Sequence, residues 1–321
     1  MTSNIRISAV AVVGSGYMGG GIAQVLAGGG FRVVLADVDA RTAENARSRL
    51  TDQADMFETH GLLPVGASST IRKNLYSAES IEDAVSEADY ITEAVPEDLE
   101  LKLHILGRIS LAAGSNSIIG TNTSAIPIKR LAEGVANPER FLGVHWMNPA
   151  PFVPGVELIR GPLTTTGTID VTESLIRKVG KTPARVSDSP GFVANRLQFA
   201  LFKEAVRIVE EGLATPDQID SVVSTTFGFR LALFGPFAIG DMAGLDVYDS
   251  SYKTLEEAYG ERFSSPQSLA EMVGQGNLGL KSGAGFLGIK ASDRNALLEY
   301  RDNAYARLSQ LREQLGKAPG L

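Results

Sequence analysis

Cysteine is absent from the 321 residues, which excludes disulfides, thiolate nucleophiles and cysteine-ligated metals. A basic stripe is absent too. The 30 Lys and Arg stand against 37 Asp and Glu, a net charge of −7, so the concentrated positive surface that a nucleic acid requires is missing. Long apolar runs are lacking: Ile7–Val13, the run nearest the N-terminus, falls far short of a signal peptide or a spanning helix. Neither an internal repeat nor a low-complexity stretch is present. These absences lead us to expect a cytoplasmic enzyme or binding protein that uses neither nucleic acid nor membrane. Apolar residues make up 44% and charged residues 21%, ordinary for a globular chain, and the length accommodates two domains of about 100–200 residues.

Two short apolar runs, one ending Val144-His145-Trp146 and the other Gly155-Val156-Glu157-Leu158-Ile159-Arg160, flank Pro149, Pro151 and Pro154. Proline cannot continue a sheet ladder, so the pattern predicts strand, loop, strand. Such a layout brings His145 and Glu157 side by side. An imidazole oriented by a carboxylate is the usual general base near neutral pH, because the anion fixes the tautomer and stabilises the imidazolium. Equally, the two residues can sit on neighbouring strands with no catalytic task.

The first clear strand, Ile7–Val13, runs directly into Gly14-Ser15-Gly16-Tyr17-Met18-Gly19 and a helical segment through Leu26. This is the GxGxxG turn in its required setting, where glycines allow the tight turn and the approach of a pyrophosphate to the helix N-terminus. A second strand, Phe31–Ala36, ends at Asp37, 23 residues past Gly14. A carboxylate there accepts hydrogen bonds from the adenosine ribose and repels a 2′-phosphate, which favours NAD over NADP as the small-molecule cofactor. Asp37 can also cap the helical segment from Ala40.

Residues 39–73 read as helical and polar, broken around Gly61–Pro64, with cations and anions in balance. Ala88–Val95 is the third clear strand, followed by Pro96-Glu97 and a helix over 98–112. Ligands in open α/β sheets collect beyond the carboxyl ends of strands, so Glu97 and Lys102 fall where cofactor would lie, or else are solvated helix-terminal charges. Strand 117–121 leads into Asn122-Thr123-Ser124, with Pro127 starting a short helix. Asn122 thereby joins the expected cofactor set, and Ser124 is a hydroxyl at the nicotinamide end or a plain cap. A helix over 168–179 and a strand over 183–187 complete the first domain, and Ser189-Pro190-Gly191 is the natural hinge. Only helical patterns follow: 192–211, 217–227, 235–242, 245–259, 266–273 and an amphipathic tail over 291–315. The expected architecture is α/β, with an N-terminal Rossmann-like dinucleotide-binding domain (1–188) followed by an all-α C-terminal domain (189–321). Helices of this kind present more apolar surface than one chain covers, so we expect a homodimer through the C-terminal domain.

Taken in order, several motifs resemble the 3-hydroxyacyl-CoA dehydrogenase family: Gly14–Gly19, Glu93-Ala-Val-Pro-Glu97, Thr121-Asn-Thr-Ser124, His145-Trp-Met-Asn-Pro149, Ser189-Pro-Gly-Phe-Val-Ala-Asn195-Arg196, Gly235-Pro236 and Lys281-Ser-Gly-Ala-Gly-Phe286. The likeness covers residues 7–290. It implies that His145 and Glu157 are the family's catalytic pair and that Ser124 and Asn195 bind the substrate oxygen. It also implies hydride transfer from a carbinol carbon to nicotinamide, with His145 taking the hydroxyl proton. General-base help of this sort is worth roughly 10²–10⁴-fold and each oxyanion donor about 3 kcal/mol.

Two departures bear on the substrate. Relatives that bind coenzyme A carry a lysine-rich helical hairpin after the second strand and a Phe-Phe after the catalytic His. Here that hairpin is electrically balanced, and Trp146-Met147 follows His145. Phe227–Pro236 and the tail around Tyr305–Leu311 resemble the family's non-thioester branch, which includes gulonate dehydrogenase, λ-crystallin and the dehydrogenases of carnitine and pyridine carboxylates. Arg230 would there pair bidentately with a free substrate carboxylate. A non-catalytic, crystallin-like NAD-binding protein is the third reading, and the intact Ser124, His145, Glu157 and Asn195 set speaks against it.

Overall fold

The structure is a computed structural model that describes residues 7–319. Met1–Arg6, the segment on which the reading of the N-terminus begins, lies outside them. Two compact units divide the chain, residues 1–202 and 203–321, the boundary falling within a helix.

In the first unit, β1 (Ala9–Val13), β2 (Arg32–Ala36), β3 (Leu75–Ser77), β4 (Tyr90–Glu93), β5 (Ile118–Thr121), β6 (Phe141–Trp146), β7 (Gly155–Arg160) and β8 (Thr182–Ser187) form one sheet in the order 3-2-1-4-5-6-7-8. The first six are parallel, in the order of doubly wound dinucleotide folds. β7 turns antiparallel to β6, and β8 runs parallel to β7. The helices are α1 (Tyr17–Gly28), α2 (Ala40–Thr59), α3 (Ala67–Asn74), α4 (Ile81–Ser86), α5 (Leu99–Ala112), α6 (Ile128–Leu131), α7 (Thr166–Lys178) and α8 (Ala194–Glu210), which continues past residue 202.

Both sheet faces are covered, which is why β1 is apolar throughout rather than alternating. Val10 and Val12 pack with Ile22 and Leu26 of α1, Leu50 of α2 and Ile176 of α7. Ala11 and Val13 face Val85 of α4 and Ile105, Leu106 and Ile109 of α5 on the other side.

Most expected elements are present within two or three residues. β3 and α4 were not anticipated; at 3 and 6 residues they are too short to establish a period. The expected helix from Phe192 starts at Ala194, because Gly191 and Phe192 both take positive φ, 73° and 49°.

The second unit is helical: α9 (Pro216–Thr225), α10 (Phe227–Leu231), α11 (Pro236–Ala243), α12 (Leu245–Tyr259), α13 (Gln267–Gly274) and α14 (Arg294–Leu315). Thr215 and Gln218 form a reciprocal capping box on α9, with Pro216 at the first helical position. Phe234 meets Tyr300 and Tyr305 of α14 edge-on, at 6.0 and 5.9 Å. Among the described residues no helix is long and apolar enough to cross a membrane.

Candidate active site

Gly14, Ser15 and Gly16 make the entire turn between β1 and α1. Gly14 has φ +94°, and a Cβ there would lie 2.7 Å from the Ala94 carbonyl; at Gly19 a Cβ would lie 1.8 Å from the Gly14 oxygen. Only glycine fits either position. No side chain caps α1, so its first amides are available to an anion.

Asp37 closes the same turn from β2. Its Oδ2 accepts the Ser15 amide at 2.7 Å and the Ser15 hydroxyl at 2.5 Å, and its Oδ1 accepts the Val38 amide at 2.8 Å. The cap of α2 is Asp39, which accepts the Thr42 amide at 2.6 Å, so the helix-cap role considered for Asp37 belongs two residues on. A cleft of about 680 Å³ opens here. Gly14, Gly16, Tyr17, Met18 and Asp37 line one side of it and Glu97, Asn122 and Ser124 another, with Val38, Ile81, Leu101 and Ile105 forming an apolar wall. Free helix amides, a carboxylate and an apolar slot are what the pyrophosphate, ribose and adenine of NAD require.

Glu97 holds the far end of the cleft in shape. Its Oε1 accepts the Thr123 hydroxyl at 2.6 Å and the amides of Ser124 and Ala125 at 2.9 and 3.0 Å. Burial works to raise its pKa, but those donors and the Lys102 charge carry it below the usual glutamate value. Lys102 is placed differently from the sequence expectation. It is fully buried, its Nζ 2.8 Å from Oε1 of Glu93 and 3.1 Å from the Asn122 carbonyl, and it borders the cofactor region through those groups rather than by lining the cleft. Glu93 itself accepts the Thr121 hydroxyl at 2.5 Å and the Val95 amide at 2.7 Å. Its burial raises the carboxyl pKa, with Lys102 opposing. The sequence reading did not assign Glu93 a part of its own, although an acid inside an apolar strand was the available signal.

Antiparallel register sets His145 directly opposite Glu157. Nδ1 lies 2.8 Å from Oε2, and both residues are buried, 4% and 6% exposed. The other carboxylate oxygen accepts the amides of Val193 and Ala194 at 3.1 and 2.9 Å, where α8 begins. Burial works to raise the Glu157 pKa; the His145 ring and these two amides outweigh it, so the value falls below the ordinary range. A carboxylate can only accept, so Nδ1 carries a ring proton, and in the neutral imidazole Nε2 is then the nitrogen with the lone pair.

Asn195 and Ser124 also come together: the Asn195 amide nitrogen donates to the Ser124 backbone carbonyl at 2.8 Å. One Asn195 N–H is thereby committed to the loop and one is left. Asn122 ties that loop to β6, its side-chain oxygen accepting the Trp146 amide at 3.0 Å. Arg230 lies on α10 in the second unit. Sequence reasoning gave no part to Thr123, a plain polar loop residue whose hydroxyl Glu97 accepts.

Among known proteins, residues 9–189 match the family described as 3-hydroxyacyl-CoA dehydrogenase, NAD binding domain, and residues 191–288 match its C-terminal domain. The chain is 38% identical over 278 residues to the 5-formyl-3-hydroxy-2-methylpyridine 4-carboxylate 5-dehydrogenase of Mesorhizobium japonicum, which covers 86% of this chain and 89% of that one. It is 32% identical over 318 residues to the human lambda-crystallin homolog, 95% of this chain and 97% of that one. The solved (S)-3-hydroxybutyryl-CoA dehydrogenase of Ralstonia eutropha shares 34% identity at a TM-score of 0.66, over 87% of this chain and 98% of that one.

Proposed function

The chain belongs to the 3-hydroxyacyl-CoA dehydrogenase family and is an NAD-dependent oxidoreductase acting on CH–OH, and from that premise we propose that it oxidises the 3-hydroxyl of an L-3-hydroxyacyl substrate with His145 as general base and Glu157 as its orienting partner. The observation that supports this most is the buried 2.8 Å contact between Nδ1 and Oε2, with Glu157 held from behind by two amides.

NAD, when bound, supplies the ring that accepts a hydride from the carbinol carbon. The chain does the rest. Gly14, Gly16 and the first turn of α1 receive the pyrophosphate, and Asp37 the ribose hydroxyls. Nε2 of His145 takes the substrate hydroxyl proton, and the resulting imidazolium is stabilised by the Glu157 carboxylate. The Ser124 hydroxyl and the second Asn195 N–H donate to the oxygen as its charge develops. We place the working protein in the cytoplasm as a homodimer paired through residues 189–321.

A second reading, the same chemistry on a free hydroxy acid, is favoured by the hairpin of α2 and α3. Three of its five cations are engaged locally: Arg47 pairs with Glu44 at 2.6 Å, Arg72 pairs with Asp55, and Arg49 donates to the Ser15 carbonyl at 2.9 Å. A hairpin with most of its cations already engaged, and as many anions beside them, offers less to the phosphates of coenzyme A. On this reading Arg230 receives the substrate carboxylate. The test is initial-rate NAD reduction with (S)-3-hydroxybutyryl-CoA beside L-gulonate and L-carnitine, repeated with Arg230→Met. A thioester preference untouched by the substitution supports the first reading. A free-acid preference with KM raised by Arg230→Met supports the second, and normal turnover in His145→Ala would reject the dyad in both.

A further inference from the structure

The short segment 191–195 does more than start a helix. Gly191 and Phe192 are consecutive residues of positive φ, 73° and 49°, and Phe192 is the only non-glycine residue of positive φ among the described residues. The Phe192 amide donates to the Ser189 carbonyl at 2.9 Å, closing the turn. From this turn the next two amides reach Oε1 of Glu157, and the third side chain, Asn195, reaches the Ser124 carbonyl. The Phe192 ring is 0% exposed and lies beside the His145 ring, centroids 5.7 Å apart and planes inclined at 56°.

Glycine adopts this backbone angle freely, whereas a side chain there is strained, and such strain persists only where the surroundings over-determine it. If the path of the chain were all that mattered, a second glycine would serve better than a large aromatic. The ring is therefore the feature to explain. Glu157 meets the imidazole at its edge, through Nδ1, and the Phe192 ring packs beside it at a tilt. An edge contact alone permits the ring to tilt about the hydrogen bond, and a buried aromatic packed beside it opposes that tilt and excludes water.

We infer that Phe192 is a positioning residue: its left-handed backbone delivers two amides to Glu157, and its ring fixes the plane of the His145 imidazole. The inference rests on the dyad reading and adds a third member to it.

The test uses the full chain carrying Phe192→Gly, which keeps the backbone path and removes the ring, and Phe192→Leu, which keeps an apolar side chain. NAD affinity reports folding of the cofactor domain. The chain has three histidines, so ¹⁵N-histidine spectra, assigned with His60→Gln and His104→Gln, read the His145 tautomer directly. In both variants turnover should fall by about 10-fold or more while NAD affinity stays within about 2-fold, and the His145 signal should change from a single Nδ1–H form to an exchanging mixture. A Phe192→Gly enzyme with normal turnover and one tautomer would overturn the inference while leaving the dyad intact. Normal turnover in His145→Ala would instead remove the dyad, and the tautomer spectrum would still decide whether Phe192 holds the ring. Should Phe192→Gly fail to fold, Phe192→Leu carries the same two readouts.

Discussion

His145 and Glu157 are cross-strand partners, and the hydrogen bond between them is set by sheet register rather than by a loop. Side chains directly opposite in an antiparallel pair point to the same face, so once β6 and β7 pair in this register the two cannot avoid each other. A slip of one residue would send them to opposite faces. The pairing of the two residues is therefore as firmly set as the sheet register, which suits the base role proposed for His145.

The first prediction concerns Glu157→Gln. An amide presents the wrong partner to Nδ1–H when it turns its nitrogen inward, and in either orientation it leaves the imidazolium without a counter-charge. Steady-state turnover should drop by roughly 10²-fold or more with NAD affinity retained. The stability effect has a definite sign. The folded pKa of Glu157 lies below its ordinary value, so its contribution is present above the unfolded value near ~4.3 and is lost as pH falls through the folded one. Urea melts across that acid range should show a shallower loss in Glu157→Gln than in the wild type; parallel slopes would contradict the assignment.

Lys102 and Glu93 provide the second. Both side chains are fully buried, their charged atoms 2.8 Å apart. Removing one partner strands the other, which typically costs about 3–5 kcal/mol, whereas replacing both leaves no bare charge. Lys102→Met should therefore destabilise more than the double variant Lys102→Met/Glu93→Leu in urea unfolding. A Lys102→Met protein of normal stability but weakened NAD binding would mean that the ammonium serves the cofactor directly.

A third prediction follows from Asp37, whose carboxylate is built into the glycine turn through Ser15. Asp37→Ala loses the ribose acceptors and the repulsion of a 2′-phosphate. NAD affinity should fall by about 10–100-fold, the worth of charge-assisted hydrogen bonds of about 1.5–3 kcal/mol, and NADP affinity should fall much less. Equal losses for both dinucleotides in fluorescence titrations would show that Asp37 shapes the turn without selecting the cofactor.

The cofactor turn was legible because every part of it is local: Val13, the glycines, α1, β2 and Asp37 follow one another within a single βαβ unit. That His145 and Glu157 are neighbours was legible because two short apolar runs flank three prolines, the pattern of strand, loop, strand. The Lys102–Glu93 pair was not, since the sequence shows a lysine one turn into a helix and does not show that α5 lays it against the end of β4. Nor was the use Asn195 makes of the Ser124 carbonyl, a contact between residues 71 apart. The left-handed Phe192 has no periodic signature. What sequence pattern conveys is which face a residue occupies, whereas these features depend on how two elements meet.

Lys181 supplies the last prediction. Its Nζ donates to the carbonyls of Ala150, Pro151 and Val153 at 2.6, 3.0 and 2.8 Å, using all three N–H bonds on the loop that joins β6 to β7. Lys181 is buried, and burial lowers its pKa; the three carbonyl dipoles take the place of the water it has lost. On the other side the loop rests on α1, where a Cβ at Gly21 would lie 3.1 Å from Pro151 and 3.3 Å from Ala150. Lys181→Met fills the same space and leaves three carbonyls without donors, so unfolding stability should fall by about 2–4 kcal/mol. Lys181→Arg should not restore it, because a planar fork cannot point three N–H bonds at three converging oxygens in a site made for a tetrahedral ammonium. A Lys181→Arg protein as stable as the wild type would mean that the positive charge holds the loop and that the tetrahedral geometry is incidental.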